Sequence, residues 1–173
     1  LKARISRRIL GQTSERRAVK FEKELKVEQQ IDLPIAEVFD FFSRAENLQR
    51  ITPPLLDFKI VTPLPIEMKT GTLIDYRLKV RGLPMRWRTL IADWNPPHRF
   101  VDTQLKGPYS LWHHTHEFEA LSPNSTMIRD TVRYRLPFGP LGLLVHKLIV
   151  ENDIRQIFDF RLKEVPRLLM EKK

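Results

Sequence analysis

His114, His116 and Asp130 are the residues whose types and spacing could do chemistry. Around the turn Ser122-Pro123-Asn124, the apolar positions require a hairpin register that sets Phe118 near Ile128, His116 near Asp130, His114 near Val132 and Trp112 near Tyr134. Strand alternation turns His113 to the opposite face. A carboxylate on such an apolar wall must be paired or protonated, because burying it unpaired costs several kcal/mol, roughly. His116 is the expected partner of Asp130. Three readings of the group stay open. It can be a satisfied hydrogen-bond cluster that stiffens the hairpin, a polar anchor for one end of an apolar ligand, or an acid/base pair in which Asp130 orients His116. A metal is not expected, since two histidines and one aspartate on one face fall short of a ligand set, and the facing of Asp102 is undetermined.

These residues need a wall to stand on. Leu25, Val27, Ile31 and Leu33 read as a first strand with one buried face. Asp32 and Pro34 then open a short helix carrying Ile35, Val38, Phe39 and Phe42, and a second helical turn over Glu46 to Ile51 ends at Pro53-Pro54. Six β-rich runs follow: Asp57 to Val61, Thr72 to Val80, Met85 to Trp94, Phe100 to Leu105, Leu111 to Leu121 and Thr126 to Leu136. A four-residue loop Arg81-Gly82-Leu83-Pro84 would pair Val80 with Met85, Leu78 with Trp87, Tyr76 with Thr89 and Ile74 with Ile91, giving a nearly apolar face that includes Tyr76 and Trp87. From Leu141 to about Lys172 an apolar stripe through Leu144, Leu148, Ile154, Ile157, Phe158, Val165 and Leu169 predicts one long helix, with Pro166 bending its last turn. The linking segment Leu136 to Gly142 is an ordinary connection or part of a gate at one cavity end.

Composition narrows the classes. The chain has 173 residues, 42% of them apolar, with 30 Lys+Arg against 21 Asp+Glu and no cysteine, so disulfides and thiolate chemistry are excluded. Most of the excess of positive charge sits in residues 1–20, where Lys2, Arg4, Arg7, Arg8, Arg16, Arg17 and Lys20 face Glu15 alone. That stretch is expected to be a flexible basic tail ahead of one domain at residues 21–173. If Ile5, Ile9 and Leu10 share a helical face, the tail can instead contact an anionic membrane surface. No nucleic-acid partner is expected. No apolar stretch approaches the ~18 residues of a spanning helix, so the expected location is the cytoplasm, with peripheral membrane contact as the alternative. The sequence contains no GxGxxG, P-loop, GxSxG or HExxH motif, and no cofactor is expected.

The element order is α+β of the helix-grip type: a curved seven-stranded antiparallel sheet wraps a long C-terminal helix, with two short helices after strand one. Phe39-Asp40-Phe41-Phe42, Asn47-Leu48 and Ile51-Thr52-Pro53-Pro54 resemble the helical entrance of the START-like (SRPBCC) superfamily, which spans lipid-transfer and polyketide cyclase/dehydrase proteins. Gly107-Pro108-Tyr109, Trp112, His114, His116 and Phe118, with Asp130, Tyr134, Pro137 and Gly139, resemble a bacterial subgroup of it. The resemblance covers roughly residues 21–170 and implies an internal cavity for a small hydrophobic or aromatic ligand, such as a lipid, quinone or polyketide. Trp112, His114, His116, Phe118, Asp130, Tyr134, Tyr76 and Trp87 are the expected ligand-binding residues. The protein is then a carrier or sensor. The alternatives are a cyclase, dehydratase or isomerase using His116 and Asp130, and a lipid-delivery or interaction module working through the tail.

Overall fold

In a computed structural model the structure describes residues 3–6, 21–137 and 150–171. Alternation of Leu25, Val27 and Ile31 with charged residues makes β2 (Lys23–Ile31), whose inward side chains Val27, Gln29 and Ile31 are buried. Pro34 precedes α1 (Ile35–Phe42), which buries Val38, Phe39 and Phe41, and α2 (Ala45–Arg50) follows at once. A 3-10 turn at Pro54–Leu56 leads to β3 (Lys59–Ile60). The sheet continues through β4 (Leu73–Val80), β5 (Leu83–Asn95), β6 (Arg99–Lys106), β7 (Leu111–Ser122) and β8 (Ser125–Arg135), and α3 (Glu151–Met170) closes the fold.

With β1 (Ala3–Ser6) at one edge, the strands form one antiparallel sheet in the order β1-β2-β8-β7-β6-β5-β4-β3. All seven expected strands are there. An eighth, β1, comes from the basic tail and pairs antiparallel with Lys26–Gln29 of β2. Ile5 is therefore in a strand and not on a helical face. Residues 7–20, the turn at 138–142 and the first part of the expected C-terminal helix, including His146, lie outside the described residues.

The second hairpin has the expected register, with His116 opposite Asp130, His114 opposite Val132, Trp112 opposite Tyr134 and Phe118 opposite Ile128. The first differs. Arg81 and Gly82 alone form the turn, and the pairs are Val80 with Leu83, Leu78 with Met85, Tyr76 with Trp87 and Ile74 with Thr89. Both turn residues have positive φ, 51° and 81°, as a two-residue hairpin of matching twist requires. The register shifts by two, so every side chain keeps its face.

The core has a rigid end and a hollow end. At the rigid end Phe39, Phe41, Phe100, Phe118, Ile128, Val165 and Leu168 pack together. Phe39 meets Phe118 edge-on at 5.3 Å between centroids. Pro166 lies inside α3 and has no N–H to give the Leu162 carbonyl. That carbonyl instead accepts from Gln29 Nε2 at 2.6 Å, so the defect in the helix ladder becomes a bond from helix to sheet. Towards the other end α3 stands away from β4, β5 and β6. No helix among the described residues is long and apolar enough to cross a membrane.

Candidate functional site

The space between α3, α2 and the concave face of β4–β7 is a cavity of about 620 Å³. This lies within the range of small-molecule sites, roughly 300–1,000 Å³. Most of its wall is apolar: Phe42, Leu48, Ile51, Ile74, Leu78, Met85, Trp87, Trp112 and Ile157 all line it. Its polar lining includes Asn47 of α2 and Asp153 and Gln156 of α3 towards the helices, and a denser group on the sheet. Tyr76, Thr89, Asp102, His114 and His116 come from four consecutive strands, and Arg161 descends from α3.

Strand register explains the polar group. Asp102 on β6 pairs with His114 on β7, and His116 on β7 pairs with Asp130 on β8, so two carboxylates flank two imidazoles on a diagonal across three strands. The rings lie 3.7 Å apart between centroids, with their planes tilted by 40°. His114 Nε2 is 3.0 Å from Asp130 Oδ1, and His116 Nε2 is 3.1 Å from Asp102 Oδ2. Since an ionised carboxylate can only accept, each of these nitrogens carries the proton. The second nitrogens also face carboxylates: His114 Nδ1 is 3.4 Å from Asp102, and His116 Nδ1 is 2.7 Å from Asp130 without hydrogen-bond alignment.

The two rings differ electrically. Burial, reinforced by the neighbouring His116, holds the His114 pKa below its ordinary value and outweighs its carboxylate contacts. Burial would lower His116 too, but Asp130 and then Asp102 override it, and its pKa is raised. The two aspartates are likewise shifted up by burial alone, yet the imidazoles hold both below the usual carboxylate range. The two shifts favour the state in which His116 is protonated and His114 neutral, where His116 and Arg161 offset Asp102 and Asp130. Tyr76 remains a phenol, since burial and Asp102 push its pKa up, and it shares a hydrogen bond with the Thr89 hydroxyl. Trp87 Nε1 donates to the same Thr89 oxygen at 3.1 Å.

The expected site residues divide into two groups. Tyr76, Trp87, Trp112, His114 and His116 line the cavity. Phe118, Asp130 and Tyr134 do not. Phe118 is 3% exposed and enclosed by Phe39, Phe42 and Phe100, while Tyr134 packs with Val27, Ile154 and Phe158. Asp130 sits behind the histidines as their partner. The expected His116–Asp130 pairing is present as a close ion pair, but the aligned hydrogen bonds join His116 to Asp102 and His114 to Asp130. Asp102 thus faces inward, as the parity of lining Phe100 dictates. Donor atoms of Asp102, His114 and His116 lie within 4.8 Å of one another, a spacing that can hold an ion. Two of these groups are already joined by a hydrogen bond, His116 Nε2 to Asp102, and His114 Nε2 is bonded to Asp130. Arg161 was not among the expected residues. Its signal was its position on the apolar stripe, three residues after Phe158 and four before Val165.

Residues 31–160 match the sequence profile of the family described as polyketide cyclase / dehydrase and lipid transport. The chain belongs to this family. Solved structures agree on the polyketide cyclase/dehydrase-type fold. The Zhui aromatase/cyclase of Streptomyces sp. R1128 superposes with TM-score 0.70 at 15% identity, covering 87% of this chain and 95% of that one. TTHA0849 of Thermus thermophilus gives 0.69 at 18% identity, over 87% and 99%. Norcoclaurine synthase of Thalictrum flavum, in complex with dopamine and hydroxybenzaldehyde, gives 0.64 at 16%, over 97% and 98%. No curated protein matches by sequence. The fold is therefore a helix grip of the SRPBCC superfamily.

One clasp closes the rim of this family member's cavity. Arg81, at the β4–β5 turn, donates from Nε and Nη2 to the carboxylate of Asp153 on α3, at 3.0 and 2.8 Å, and both residues line the opening. The pair is exposed, so its expected effect is on exchange and not on stability. Arg81→Ala is predicted to speed release of a bound apolar fluorophore several-fold in stopped-flow displacement while leaving the melting temperature nearly unchanged. An unchanged release rate would show that molecules leave elsewhere.

Proposed function

We propose that the cavity binds one small hydrophobic or aromatic molecule and that the protein works as its carrier or sensor. The observation that carries this reading is the cavity of about 620 Å³, apolar along its walls and polar where Tyr76, Asp102, His114, His116 and Arg161 meet. Burial of apolar ligand surface supplies affinity at about 25 cal/mol per Å² before entropic costs, and the polar group selects one end of the molecule. The small aromatic molecules bound to the similarly folded norcoclaurine synthase support a ligand of this kind.

Filling the space is the direct test. Leu78 lines the cavity from β4, and Leu78→Trp is predicted to weaken binding of an apolar fluorophore at least about tenfold, with stability changed by roughly 1–2 kcal/mol. Native mass spectrometry of the purified full chain should show a stoichiometric apolar adduct that the variant lacks. Binding untouched by Leu78→Trp would place the ligand elsewhere and overturn the reading.

A second reading has its own observation. His116 lines the cavity and its pKa is raised by two carboxylates, which makes it a general acid of the kind a cyclase, dehydratase or isomerase needs. On that reading Asp102 and Asp130 are positioning residues, and loss of His116 abolishes turnover while apolar binding persists.

A further inference from the structure

Arg161 brings an unmatched donor to the cavity wall. Its α-carbon lies in the middle of α3, between the buried Phe158 and Val165, so the helix stripe carries its side chain inward. The guanidinium stands over the Phe158 ring, 5.3 Å from centroid to Cζ, and lines the cavity opposite the histidines. A guanidinium has five N–H donors and no way to shed its charge at ordinary pH. Here Nε is fully buried and has no hydrogen-bond partner among the described residues. The two nearby carboxylates do not fill the gap. Burial lowers the Arg161 pKa and the charges of Asp130 and Asp102 only partly oppose it, while their aligned hydrogen bonds go to His114 and His116. Tyr76, also within its field, shares its hydroxyl with Thr89.

A guanidinium at an apolar cavity wall with its buried Nε donor unpaired wants a planar acceptor with two oxygens. We propose that Arg161 is the docking point for a carboxylate, so that the ligand is an apolar or aromatic carboxylic acid whose body fills the space towards Trp87 and Leu78. This deepens the ligand-binding reading and rests on it. The cluster as it stands is already charge-balanced, with Arg161 and His116 against the two aspartates. An arriving carboxylate is accommodated by the remaining neutral ring: His114 has both nitrogens facing carboxylate oxygens at 3.0 and 3.4 Å, an arrangement that an imidazolium satisfies fully. The ligand therefore adds the acceptors Arg161 lacks, and one proton at His114 restores the balance.

Matched probes test the idea on the full chain. Fluorescence titration with 9-anthracenecarboxylate and 9-anthracenemethanol compares one aromatic body with and without the acid. The wild type should prefer the acid about tenfold or more, the scale of a charge-assisted hydrogen bond. Arg161→Gln should bring the acid down to the alcohol's affinity and leave the alcohol within about threefold, which also shows that the variant is folded. Arg161→Lys keeps the charge without the fork and should retain only part of the preference. A wild type indifferent to the acid, or an acid preference that survives both substitutions, overturns the Arg161 proposal while the cavity reading stands. Failure of the wild type to bind either probe overturns the cavity reading itself.

Discussion

Asp130→Ala is expected to lose about 3 kcal/mol or more of unfolding free energy at pH 7, the usual scale for removing one partner of a buried ion pair. Asp130 has 13% of its side chain exposed and is within 3.0 Å of both imidazoles. Its removal leaves His116 and Arg161 as buried cations against Asp102 alone. Asp130→Asn, which keeps one acceptor oxygen for His114 Nε2, should recover part of the loss. The pH dependence has a definite sign. The folded-state pKa of Asp130 is depressed, so its contribution is fully present above the unfolded carboxylate value, about 3.9, and is lost as the pH falls through the folded value. In urea titrations the gap between wild type and Asp130→Ala should therefore be wide from pH 5 to 7 and shrink below about pH 4. A gap under about 1 kcal/mol at pH 7 would mean that the cluster is solvated and adds little to the fold.

Much of this architecture was legible because β-strands have period two. His114, His116 and Asp130 share a face in any even register, and the turn at Ser122 to Asn124 left no odd one that buried Phe118 and Ile128 together. The first hairpin shows the limit of the same rule. Facing survived, but register depended on whether Arg81 accepts a left-handed backbone, and a positive φ at an arginine leaves no mark in the sequence. Asp102 was harder to place for a different reason. Its neighbours Phe100 and Val101 are both buried, beside a register shift between Ile91 and Asp93, so apolarity could not say which parity faced inward.

Arg161 and Gln29 were missed because polar residues on an apolar stripe are usually read as its edge. Both are instead answers to particular partners. Gln29 meets the carbonyl that Pro166 leaves open, and Arg161 on α3 supplies charge opposite two aspartates from β6 and β8. Neither demand is local in sequence: the partner of Gln29 lies 133 residues away. Phe118 and Tyr134 fail as cavity residues for the converse reason. They share the inward face with His114 and His116, but α1 covers the first and the N-terminal part of α3 covers the second. Alternation selects a face of the sheet; the covering helix decides which part of that face remains hollow.

Replacement of His116 by Asn should be nearly as costly as loss of Asp130 but with the opposite pH profile. The ring is 6% exposed, stacks on Phe100 at 4.1 Å, and is the cation between the two carboxylates. Without it Asp102 and Asp130 keep only Arg161 and a neutral His114, and a loss of about 2–4 kcal/mol follows at pH 6. Because the folded-state pKa of His116 is raised, its stabilisation is full below the unfolded histidine value, about 6.5, and disappears as the pH rises through the folded value. The difference in unfolding free energy between wild type and His116→Asn should thus narrow from pH 6 towards pH 9 by about 1.4 kcal/mol for each unit by which the pKa is raised. His114, whose pKa is lowered, pulls the other way in the wild type, since its neutral form is lost on acidification. It remains in both proteins, and taking the difference isolates most of the His116 contribution. A gap that stays level or widens with rising pH would show that His116 is neutral in the folded protein. That result would remove the acid required by the cyclase-type reading, while leaving the apolar cavity and its Arg161 donor intact.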